Sequence, residues 1–116
     1  MNTLRNKVSL IGRLGAQPEV VKLESGRTLA RFSIATNEPY KDKDGVWHDK
    51  TQWHNIIAWG RIADRVVDVL QKGQEVLLNG RIVNNSYETK DGEKRYGTSI
   101  EMNEFLMISS PQKNEA

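Results

Sequence analysis

Thr51-Gln-Trp-His-Asn-Ile-Ile-Ala-Trp59 runs straight into Gly60-Arg-Ile-Ala-Asp-Arg-Val-Val-Asp-Val-Leu70, and the hydrophobic period changes between them. Trp53, Asn55, Ile57 and Trp59 alternate with His54, Ile56 and Ala58, the two-residue period of a strand. Ile62, Val66 and Leu70 recur every fourth residue with Ala63 and Val67 beside them, which predicts a helix over Arg61–Leu70. Lys72-Gly73 then supplies a last-turn cation and a C-terminal glycine cap.

Outward from this junction the chain reads almost entirely as strands. Lys7–Leu14 sets Val8, Leu10, Gly12 and Leu14 on one face, and Gly15-Ala-Gln-Pro18 interrupts it. Val20–Leu23 is a short strand before a turn at Ser25-Gly26, and Thr28–Glu38 is a long one. Asp44-Gly45 suits a tight hairpin turn ahead of Thr51–Trp59. Glu75–Tyr87 and Lys94–Ile108 follow the helix, joined through Asp91-Gly92. Five main strands with one helix between the third and fourth give an all-β chain with the connectivity of an OB-fold, a five-stranded Greek-key barrel. The expected division is a domain over residues 1–108 and a short disordered tail over 109–116.

Composition bounds the function. The 116 residues carry 17 Lys and Arg against 15 Asp and Glu, a net charge of +2, distributed as +3 over residues 1–60 and −1 over 61–116. This mild tilt is no basic arm. No stretch reaches the ~20 apolar residues of a membrane span, and the chain does not open like a signal peptide. The absence of cysteine excludes disulfides, thiolate chemistry and Cys-type zinc sites. A soluble cytoplasmic domain without metal or cofactor is the expectation.

Aromatic residues make up only 7% of the chain, so their placement carries weight. Trp53 and Trp59 leave the same strand face, and the pattern alone leaves open whether that face enters the core. Facing outward, the pair would form a patch large enough to mark a binding surface. Tyr40, Trp47, Tyr87 and Tyr96 stand among Lys and Arg, a mixture suited to single-stranded nucleic acid, where rings stack on bases and cations follow phosphates. Asp42, Asp44, His48 and Asp49 offer the one carboxylate–imidazole grouping for a metal-dependent hydrolase, although interspersed lysines compete for the carboxylates. No phosphate loop, nucleophile elbow or His-Glu-x-x-His pattern is present. An OB domain that docks a protein on its aromatic face is the further alternative.

Several ordered blocks then resemble one family. Asn6-Lys-Val-Ser-Leu-Ile-Gly-Arg-Leu-Gly15, Gln17-Pro-Glu-Val20, Phe32-Ser-Ile-Ala-Thr-Asn-Glu38, Thr51–Asp64 and Lys72–Ile82 are similar to bacterial single-stranded DNA-binding proteins over residues 4–108. The resemblance implies an OB-fold homotetramer in the bacterial cytoplasm, associated with the nucleoid. It would coat single-stranded DNA without sequence preference during replication, recombination and repair. The family's main stacking positions fall on Tyr40, Trp53, Trp59 and Tyr87, with Trp47 and Tyr96 as possible additions. The Trp53/Trp59 face then meets DNA, and His54 becomes a core or subunit-interface residue. By placement, Lys7, Arg31, Lys41, Lys43, Lys50, Arg61 and Lys72 are the phosphate candidates. Asn55 stands where the family is often basic. The family's acidic C-terminal tip, which recruits replication and repair proteins, has no counterpart in Gln112-Lys-Asn-Glu-Ala116, which puts those partners in doubt.

Overall fold

The computed structural model describes residues 3–109, with side chains for all of these except Thr3, Tyr87, Tyr96 and Ser109. A 3-10 turn at Thr3–Asn6 precedes strands β1 (Val8–Leu14), β2 (Glu19–Lys22), β3 (Thr28–Lys41) and β4 (Trp47–Trp59). Helix α1 (Gly60–Val69) follows, and β5 (Glu75–Glu88) and β6 (Lys94–Ser109) complete the described chain. Of the expected tail over 109–116, Ser109 closes β6 and the remainder lies outside the described residues.

Pairing runs β1–β5–β6–β4–β3 and returns from β3 to β1, so five strands close a ring with α1 between the third and fourth of them. The sixth strand, β2, adds no wall. Arg13 and Leu14 of β1 pair with Ala35 and Ile34, and Glu19–Lys22 of β2 continue along the same edge of β3 from Arg31 to Thr28. Ala16-Gln-Pro18 bulges between the two segments because Pro18 has no N–H to give the ladder.

Inside the ring lie Leu14, Ala30, Phe32, Ile34, Ile56, Ala58, Val76, Leu78, Ile100 and Met102, closed at one end by Ala63, Val66 and Leu70. Among the described residues Phe32 is the one buried aromatic of this cluster, with Phe105 packed against it. Each fully buried aliphatic chain contributes about 1.5–3 kcal/mol relative to exposure. The even positions of β1 point inward and the odd positions of β4 point outward. The face containing Trp53 and Trp59 is therefore not the core face.

Two elements depart from the sequence expectation. The expected strands stop at Glu38 and resume at Thr51 around an Asp44-Gly45 turn; the turn is present, but β3 and β4 stay paired up to it, through Lys41↔Trp47. Backbone ladders need no apolar side chains, and Thr51 Oγ1 to Asn37 at 2.8 Å and Gln52 Nε2 to Glu38 at 3.2 Å tie the hairpin across both faces. Gly73 does not cap the helix. Leu70 is the C-cap, in extended backbone, with its N–H on Val66 O. Gly73 (φ 86°) instead supports a separate turn closed by Gln74 N–H to Gln71 O at 3.0 Å, and Lys72 lies in that turn, outside the last helical turn.

At Gly12, where β1 passes over β3, a Cβ would stand 2.5 Å from the Ala35 carbonyl oxygen. Backbone cannot yield there as a side chain would. Gly12→Ala is expected to destabilise the fold by about 1–3 kcal/mol, read as a lower urea midpoint with an unchanged slope.

Candidate functional site

The site is built on β4. All 13 partners from Leu29↔Trp59 to Lys41↔Trp47 follow without a register shift, so parity is kept along the whole strand. Trp47, Trp53 and Trp59 consequently share its outer face at six-residue intervals, about 20 Å apart at ~3.4 Å per residue. Trp47 is 66% exposed and Trp53 61%, while Trp59 is half-buried. Trp47 thus joins the row on which the sequence placed the other two.

Each ring has a different neighbour. Trp53 lies over Gly15, where a Cβ would meet its six-membered ring at 2.5 Å. The Arg27 guanidinium carbon sits 4.3 Å from the centre of Trp59, and Lys41 Nζ sits 6.0 Å from that of Trp47. Contacts of this kind contribute about 0.5–1 kcal/mol at exposed sites. Between Trp53 and Trp59 a shallow groove of about 460 Å³ is lined by Ser33, Asn55, Ile57 and Arg31, with Ala16 and Gln17 on its rim. Gln17 fastens that rim to the helix end, accepting from Lys72 N–H at 3.3 Å and donating to Leu70 O at 3.5 Å.

Tyr40 stands elsewhere. It pairs with His48 on the opposite face of the hairpin, with ring centres 5.3 Å apart and planes at 26°. This is the face that forms the core lower down, through Ile34 and Ile56, and it emerges into solvent where the hairpin outruns the barrel. His54 marks that exit. It is half-buried, turned away from the tryptophans, and its Nε2 meets Thr36 Oγ1 at 3.0 Å. Tyr87 and Tyr96 lie in the paired β5–β6 ladder opposite Arg95 and Ser86, with side chains outside those described.

The cations divide similarly. Arg31 lines the groove but is engaged by Glu19 at 3.4 Å. Lys41 shares the Trp47 row, Lys43 is in the hairpin turn, and Lys50 faces Glu38 on the Tyr40 side. Arg61 is exposed two residues beyond Trp59, and Lys72 adjoins the Gln17 rim. Lys7 precedes β1, which pairs with β5, and is separate from the tryptophan row. Sequence reasoning missed Arg27 and Gly15. Their contacts arise from the Leu29↔Trp59 register and from the line of β1 along β3, neither of which leaves a local signal.

The carboxylate–imidazole group is a turn brace. Asp42 Oδ1 accepts from Asp44 N–H and Val46 N–H, both at 2.9 Å, and Oδ2 meets His48 Nε2 at 2.7 Å. Gly45 (φ 82°) completes the turn. Both Asp42 oxygens are thereby spent on the loop itself, and among the described residues no three His, Asp or Glu side chains converge as an ion site. The His48 contact first, and then the Val46 N–H, hold the Asp42 carboxyl below its ordinary 3.8. A lowered carboxyl stabilises the turn above the unfolded value, and that contribution is lost as pH falls through the folded value. The amide resonances of Asp44 and Val46 are expected to titrate together with a midpoint below 3.8. A midpoint at or above that value would contradict the brace.

Comparison with known proteins places this geometry. The model of the single-strand binding protein family matches residues 5–108. "Single-stranded DNA-binding protein 1" of Chlorobaculum tepidum is 40% identical over 106 residues, covering 90% of this chain and 65% of its own length. "Single-stranded DNA-binding protein" of Neisseria meningitidis serogroup B is 40% identical over 109 residues, covering 94% and 63% respectively. A protein titled like the first, from Xylella fastidiosa, is 36% identical over 110 residues, covering 94% and 81%. The chain thus spans just under two thirds of the length of the first two. The structure titled "Plasmodium falciparum SSB complex with ssDNA" superposes with a TM-score of 0.83 at 31% identity, over 90% of this chain and 95% of that one. The Thermus aquaticus single-stranded DNA binding protein, as a deletion mutant, gives 0.80 at 28% identity, over 90% and 50%. The all-β architecture with one helix is the OB-fold of these neighbours.

Proposed function

The chain belongs to the single-strand binding protein family, and from that premise we propose that it binds and protects single-stranded DNA without sequence preference in replication, recombination and repair. One observation carries the reading: three outward tryptophans in register on β4, with a groove between two of them. Trp53 and Trp59 stack bases across the groove, and Trp47 continues the track onto the hairpin. Tyr40 on the hairpin's other face and Tyr87 on the second hairpin extend the path around the barrel, with Tyr96 as a further platform. Each stacked base supplies about 1–3 kcal/mol, and every base has a face to stack, which makes the binding indifferent to sequence. Lys41, Lys43, Lys50, Arg61 and Lys72 neutralise the backbone, with Arg31 joining once Glu19 yields, and with Lys7 on a separate part of the surface. Binding alone performs this function; no bond is made or broken.

Assembly into a homotetramer is part of the proposal. Along Val8–Gly12 the β1 edge away from β5 has no ladder partner among the described residues. Ile11 and Leu106 are 54% and 67% exposed beside Leu77 on the outer face of β1, β5 and β6. An open strand edge and an apolar sheet face support pairing with further copies. Among the described residues no helix is long and apolar enough to cross a membrane. We place the protein on the bacterial nucleoid in the cytoplasm, on the strength of the family.

Oligo-dT is expected to quench tryptophan emission to a stoichiometric end point, with log affinity falling against log salt by about 0.7 per phosphate neutralised. Trp53→Ala is expected to weaken binding by about 5- to 150-fold, the equivalent of one lost stack of ~1–3 kcal/mol. Preference for duplex DNA, or an unchanged affinity after Trp53→Ala with Trp59→Ala, would overturn the function or the residue assignment respectively.

A further inference from the structure

Arg27 meets a ring rather than a carboxylate, as Arg65 does at Phe105, but Arg27 lies closer and its ring is on the tryptophan row. Among the described residues Arg13, Arg31, Arg81 and Arg95 each meet a carboxylate within 4 Å, and Arg27 does not. Its described side-chain contact is the face of Trp59, at 4.3 Å from guanidinium carbon to ring centre. A planar cation at that distance fills the space in which a base would stack. Its backbone is anchored: Arg27 O accepts from Leu23 N–H at 2.9 Å in the turn between β2 and β3, and Thr28 opens the ladder with Lys22. The side chain is exposed and tethered beside the tryptophan row, with no ionic partner among the described residues to hold it on the ring.

We propose that Arg27 is an exchangeable cover on Trp59. In the free protein its guanidinium occupies the ring face used by a base. When a strand binds, the guanidinium leaves the ring and pairs with a phosphate of the incoming strand. The inference rests on the β4 face being the single-stranded DNA surface. An exposed guanidinium on a half-buried ring, still reached by solvent, is held more weakly than a stacked base, so the exchange runs toward the base. The displaced cation then gains a charge-assisted hydrogen bond to phosphate, which Arg makes in fork geometry. One side chain shields the apolar ring from water while the site is empty and neutralises charge while it is filled. Among the described residues no cation lies over Trp53, which packs on Gly15.

Trp59 becomes the sole tryptophan after Trp47→Phe and Trp53→Phe, so its emission reports on this ring alone. Without DNA, adding Arg27→Ala is expected to raise quenching of Trp59 by acrylamide. At saturating oligo-dT, Trp59 is expected to be quenched to the same level with and without Arg27. In the protein otherwise unchanged, Arg27→Ala should make the log–log salt slope for oligo-dT shallower by about 0.7, one phosphate contact. The proposal is overturned if Trp59 stays bright at saturation with Arg27 present and is quenched only in Arg27→Ala, since the guanidinium would then remain between ring and base. An unchanged salt slope overturns it as well, and decides the question alone if the double Phe substitution abolishes binding. Failure of the unchanged protein to bind oligo-dT would remove both the function and this inference, a result distinct from either of the others.

Discussion

The unbroken ladder between β3 and β4 is the constraint on which the rest of the structure depends. A sheet has a side-chain period of two, so one slipped residue would send Ile56 and Ala58 to solvent and Trp53 and Trp59 inside. The register is held at the barrel end by Ala30, Phe32 and Ile34 against Ala58, Ile56 and His54, all of them wholly or nearly wholly buried except the half-buried His54. It is held at the hairpin end by the Asp42 brace. Between these anchors one strand serves two ends: its even positions fill the core, and its odd positions present rings.

The division also explains why the aromatic share is low without weakening the fold. Ile, Leu, Val, Ala and Met fill the barrel almost unaided, and two of the three tryptophans are mostly exposed. Small Gly12 and Gly15 let β1 come close where larger residues would push β3 or Trp53 away. Core packing and ring display are therefore coupled through the line of β1. A net charge of +2 remains uninformative about partners because several cations are tied to carboxylates, as Arg31 is to Glu19.

Much of this was legible in the sequence wherever a periodic apolar signal exists. The change of period at Trp59 marks the strand–helix junction, and the parity of Trp53 and Trp59 makes them a pair. Their side of the sheet was open on pattern alone, because His54, Ile56 and Ala58 are only partly apolar as a set. The hairpin from Tyr40 to Lys50 was illegible as paired strand, since alternating Lys and Asp carry no hydrophobic period. For the same reason nothing local placed Trp47 with Trp53 or Tyr40 on the other side. Arg27 on Trp59 and Gly15 under Trp53 are products of three-dimensional register, invisible before the strands are laid side by side. Gly73 shows the opposite failure: a strong local signal for a helix cap was used by the next turn.

The claim that most needs a direct test is that the odd face of β4 receives the strand. Ultraviolet cross-linking of oligo-dT, followed by mass spectrometric mapping of the linked peptides, addresses it without any substitution. Cross-links are expected on peptides carrying Trp47, Trp53 and Trp59. Cross-links confined to the outer face of β1, β5 and β6, at Ile11, Leu77 and Leu106, would contradict it.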